Sequence, residues 1–66
     1  MNTLDLLQDA LVGEITLQSM YNHHAVNIST PPDVRQLFFQ MRDAKTQHIT
    51  ELQQRIQQLM QQGQGQ

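Results

Sequence analysis

The sequence predicts an all-α fold, an antiparallel two-helix hairpin that dimerises into a four-helix bundle. Three observations carry this expectation. Apolar residues recur at alternating spacings of three and four along two long stretches, the pattern of helices that pack on other helices. A single short segment, NISTPPD, separates the two stretches. The apolar stripes are also broader than two helices facing only each other could cover.

The first helix is expected over about residues 3–27. Asn2 or Thr3 supplies a cap, and Asp5 and Asp9 stand in the early turns, where carboxylates favour the helix dipole. Leu4, Leu7, Leu11, Tyr21 and Ala25 form a seam whose two middle places are Glu14 and Gln18. Gly13 costs roughly 1 kcal/mol relative to alanine inside a helix. Its simplest explanation is close approach of a neighbouring helix or of a large side chain.

The second helix is expected over about residues 31–62. Ser29 or Thr30 can cap it, Pro31 suits a first turn where a missing donor is no loss, and Asp33 complements the dipole. Its seam runs through Val34, Phe38, Met41, Leu52, Ile56 and Leu59, with Lys45 and His48 at the two polar places. The run QQRIQQLMQQ keeps apolar residues at helical spacing and reads as helix, not as a disordered polar tract. Residues 1–62 then make one helical hairpin domain and 63–66, GQGQ, a flexible tail. Leu6, Ala10, Leu17 and Met20 lie beside the first seam, and Leu37, Phe39, Ala44 and Ile49 beside the second. These flanks imply a homodimer of two hairpins about a two-fold axis, with Phe38 and Phe39 divided between the intrachain seam and the dimer interface.

Sixty-six residues allow one domain at most, and so short a chain buries little surface without disulfides, metal or a partner. Cysteine is absent, which removes disulfides and thiolate metal sites. A net charge of −2, with only four Lys and Arg and three aromatic residues, gives no basic face for a phosphate backbone, so nucleic acid is not expected as a partner. The start, MNTLDLLQDALVGEI, has no basic n-region, and no apolar run approaches a membrane span. The expected location is the cytoplasm, or deposition on a larger structure. No Ser/His/Asp set, phosphate loop or nucleotide fingerprint is present, and the chain is expected not to be an enzyme. His23 and His24 are adjacent and point about 100° apart on a helix, so they cannot both serve one site.

If the chain turns near Ser29 and Thr30, residues whose numbers sum to about 60 lie at one height, because both helices rise equally per residue. Glu14 then faces the region between Lys45 and His48, and Gln18 lies nearer Arg42. Glu14, Gln18, Lys45 and His48 are therefore expected to form one buried polar layer. Isolated charges at seam positions are costly to bury, whereas a matched set satisfies itself. The layer has two readings. It fixes register and orientation, as a buried polar residue does in coiled coils, or it is a divalent-metal site in which Glu14 and His48 of both chains bind iron, manganese or zinc. Spacing alone favours the first, which needs no cofactor.

A helix with a mid-seam Glu14, followed after a Pro-containing turn by a helix with His48 at the matching height, resembles half of a ferritin-like bundle of the rubrerythrin sort. That family supplies a Glu from its first helix and a Glu-x-x-His from its second. Glu14 matches the first ligand and His48 the histidine, but Lys45 stands where the second Glu would be. The resemblance implies a degenerate, metal-free half-site in which the Lys45 ammonium neutralises Glu14. Asp43 and Glu51 lie off the seam and are poor replacements. The stretch from Ser19 to about Gln62 more closely resembles the coat F family of bacterial spore coat proteins, through Tyr21, Asn22, Pro32, Arg35, Gln36, Gln47, His48 and the run from Glu51 to Gln54. That family usually ends in an aromatic-rich tail, and this chain ends in GQGQ. The resemblance implies a structural or assembly role, a spore-coat location, and other coat or helical proteins as partners, with no chemistry assigned to any residue.

Overall fold

A computed structural model describes residues 2–62. Two helices, α1 (Thr3–Asn27) and α2 (Pro32–Gln61), are packed side by side as an antiparallel hairpin, with no strand among the described residues. The expected tail at 63–66 lies outside the described residues. No described helix is long and apolar enough to cross a membrane.

The start of α1 follows from its cap. The Asn2 side-chain oxygen accepts from the Asp5 amide at 2.8 Å, satisfying one of the donors left free in a first turn. The start of α2 is one residue later than the sequence suggests. Pro31 is the capping residue, Pro32 opens the helix, and neither Ser29 nor Thr30 caps it. The Pro31 carbonyl instead accepts from Val34 and Arg35, and two successive prolines leave fewer orphaned amides for a side-chain cap to satisfy.

The seam of α1 is the expected one: Leu4, Leu7, Leu11, Glu14, Gln18 and Tyr21 are half-buried and Ala25 is fully buried. The seam of α2 is turned slightly from the expected one. Arg42 and Ile49 are half-buried, while Met41 and His48 are exposed. The reason lies in the spacing. A seam through Phe38, Arg42, Lys45, Ile49, Leu52, Ile56 and Leu59 alternates four and three without a break, whereas one through His48, Leu52 and Ile56 takes two steps of four in succession and drifts off the contact line.

The hairpin is a slab with extents of 50 × 17 × 11 Å, one helix thick. Among the described residues, only Ala25 near the turn and Ile56 near the open end are buried. Near the turn, Phe38 stacks against Tyr21 at 6.4 Å between ring centroids and takes the edge of His24 at 5.4 Å. The two phenylalanines do divide between environments, but Phe39 lies beneath guanidinium groups of its own chain: Arg42 at 4.6 Å and Arg35 at 5.6 Å from its ring centre. Gly13 has open space where a side chain would start, so nothing in its own hairpin requires a glycine there.

Candidate functional site: the polar layer

Midway along the seam, α1 offers a carboxylate where α2 offers two nitrogen bases. Helical spacing sets this meeting: Glu14 continues the series Leu7 and Leu11, and Lys45 continues Phe38 and Arg42. The His48 ring nitrogen Nδ1 lies 2.6 Å from Glu14 Oε1, a short hydrogen bond in which Nδ1–H donates. The Lys45 Nζ lies 3.4 Å from Oε1 and 3.5 Å from Oε2, so the ammonium sits astride the carboxylate. Lys45 and Glu14 side chains are 18% and 19% exposed, and His48 is 50% exposed.

The expected buried layer is therefore a half-buried one. A slab one helix thick leaves the outer side of every seam residue in water, and no polar residue among those described reaches full burial. Gln18 does not join the ionic group and does not meet Arg42. Its amide nitrogen donates to the Thr46 hydroxyl at 2.8 Å, and that hydroxyl donates on to the Arg42 carbonyl at 3.1 Å. Arg42 is taken one turn nearer the loop by Asn22, whose side-chain oxygen accepts at 2.9 Å. Sequence reasoning missed Thr46 and Asn22. The signal was available in their position, because both lie just off the seam on the same side and at matching heights.

The His48 hydrogen bond holds the Glu14 carboxyl below the usual carboxylate range; partial burial opposes the shift, and the charge of Lys45 adds to it. Each carboxylate oxygen has a donor from α2, so Glu14 enters the seam as a paired ion. His23 and His24 go separate ways. His23 faces Asn27, while His24 packs on Phe38.

The donor set does not suit a divalent metal within one hairpin. Glu14 and His48 supply one carboxylate and one imidazole, already hydrogen-bonded to each other, with an ammonium beside the oxygens that would ligate. Among the described residues no group of three or more potential ligands comes together. What the arrangement holds is an ionic pairing of α1 with α2 through Glu14, Lys45 and His48, with half of the His48 side chain left in solvent. Comparison with protein-family models, with curated proteins and with solved structures gives no match.

Proposed function

We propose that the chain is a non-enzymatic assembly protein whose working form is a homodimer, two hairpins closing into a four-helix bundle of ferritin-like shape. The observation that carries this reading is the apolar surface left over by the hairpin. Leu6 and Leu37 are 55% and 51% exposed, and Leu17 and Met20 lie on the same side of α1. Such an expanse is unfavourable in water for a single copy and is what a second helical layer would cover. The saturated polar layer suits a register-fixing role, since Glu14 has no free oxygen for acid–base work.

Sedimentation from micromolar to millimolar protein tests the proposal. The expected species has twice the 7.6 kDa chain mass, and a monomer throughout the range refutes it. The resemblance of residues 19–62 to the coat F family supports placing such a dimer in a spore coat. A fluorescent fusion in a sporulating bacterium is expected to gather around the forespore; uniform fluorescence would overturn that part of the reading.

A further inference from the structure

The polar layer leaves one of its reactive atoms on the outside. A carboxylate held in its ionised form only accepts, so the 2.6 Å contact with Glu14 Oε1 requires His48 Nδ1 to donate. In the neutral ring the lone pair then lies on Nε2, at the far edge of the imidazole. Half of the side chain is in water, on the broad face of the slab turned away from Phe39 and Thr46. Helical spacing surrounds it with small residues: Ala44 lies one turn back on α2, and Ala10 and Gly13 lie near its height on α1, on the same side of Glu14. A side chain at Gly13 would meet nothing within 4 Å, so the space there is open. Lys45 Nζ lies 3.4 Å from the carboxylate oxygen that His48 also holds, which places an ammonium next to the ring. The other two histidines lack this setting. His23 Nε2 lies 3.3 Å from the Asn27 amide nitrogen, and the His24 ring is packed on Phe38.

We propose that His48 Nε2 is a phosphoryl-acceptor site, modified by small donors of the phosphoramidate class. The Nε2 lone pair attacks phosphorus, a new N–P bond forms, and the P–N bond of the donor breaks. The protonated nitrogen of the donor takes the bonding pair and leaves as the neutral amine. The ring loses no proton. Nδ1–H stays on Glu14, and the imidazolium that results faces a carboxylate already in place to stabilise its charge. Glu14 is thus a positioning residue, fixing the tautomer that puts the lone pair outside. The transferred group brings close to two negative charges, and Lys45 is the cation beside it. That ammonium favours a phosphoryl group over a neutral acyl group. Glu51, one turn further along α2, is exposed, where water and salt screen its repulsion of the incoming group. The step takes place within a single hairpin and does not depend on the homodimer.

The full chain incubated with potassium phosphoramidate at neutral pH tests the proposal, with phosphorus and proton NMR following each ring. His48 is expected to react at least about fivefold faster than His23 or His24, and to carry the group on Nε2. In urea the three rates should converge, because the advantage belongs to the folded layer. Equal rates in the folded chain, or a product on Nδ1 of His48, overturn the proposal. Glu14→Gln gives a second readout. It is expected to slow His48 by at least about tenfold through loss of the carboxylate charge. It should also yield both ring isomers, since an amide accommodates either tautomer. A folded variant, by circular dichroism, that keeps the original rate and the single isomer denies Glu14 its part and sinks the proposal. Should Glu14→Gln fail to fold, the comparison of the three rings in native and urea-unfolded wild type decides alone.

Discussion

The two broad faces of the hairpin use similar numbers of apolar residues in opposite ways. On one, Phe39 is covered by Arg35 and Arg42, and Asn22 and Thr46 tie the helices together with hydrogen bonds from side chains of α2 and α1. On the other, Leu6, Leu37 and the notch at Gly13 have no such cover. The first face is finished within one chain, because its polar groups are long or branched enough to reach across the seam. On the second, which is unfinished, only His48 reaches across the seam, to Glu14, and the apolar side chains around it have no polar cover. The contrast teaches that exposure alone does not mark an interface. Val12, Ile15 and Val26 on the first face are exposed as Leu6 and Leu37 are on the other, with Val12 and Ile15 neighbours at helical spacing, so the faces differ in their hydrogen-bonded cover and not in the exposure of their apolar side chains.

The comparison can be broken at several strengths. Ile56→Ala removes a buried anchor of the seam that both faces share and is expected to lower unfolding free energy by about 2–4 kcal/mol, measured as a shift in the urea midpoint. Acid acts on the layer between the faces. Because the folded-state pKa of Glu14 is depressed, its pairing contributes stability above the usual carboxylate range, and that contribution is lost as pH falls through the lowered value. Urea midpoints across mildly to strongly acid pH should therefore fall, and Glu14→Gln should flatten the fall; an unchanged slope in that variant would deny Glu14 its role.

Lys45→Met alone should destabilise the hairpin by leaving Glu14 with a single donor, and Glu14→Gln added to it should restore much of the loss, a coupling read from a double-mutant cycle. On the finished face, Arg42→Gln removes the hydrogen bond to Asn22 and the nearer cover of Phe39, and a loss of about 0.5–1 kcal/mol is expected. On the unfinished face, Leu37→Gln should change the stability of the fold by less than about 0.5 kcal/mol while raising the protein concentration at which dimers form. If Arg42→Gln and Leu37→Gln have the same effect on association, the distinction between the faces fails.

Much of the architecture was legible in the residues. The helix limits follow from Asn2, from the proline pair and from uninterrupted spacing between them, and the meeting of Glu14 with Lys45 and His48 follows from equal rise along two antiparallel helices. Three details were not legible. The cap of α2 fell on Pro31 because proline removes the donors that Ser29 or Thr30 would have satisfied. Arg42 took the place expected for Met41 because its guanidinium both finds Asn22 and lies over the Phe39 ring, so a charged residue sits well in a seam without being buried. Gln18 turned to Thr46 because a hydroxyl at hydrogen-bonding distance offers a neutral amide a better-placed acceptor than a cation could. Periodicity fixes where a side chain starts, and reach and chemistry decide where it ends.

The connections across the hairpin lie at growing distances along the chain: 20 residues between Asn22 and Arg42, 28 between Gln18 and Thr46, and 34 between Glu14 and His48. Each later closure encloses a longer loop than the one before it, yet by the logarithmic law of chain closure the added entropy loss is well under 1 kcal/mol once the earlier one is in place. Such a ladder favours folding that begins with the rings of Tyr21, His24 and Phe38 and zips toward the chain ends. The aromatic corner beside the prolines is thus the cross-helix contact whose closure costs the chain least entropy.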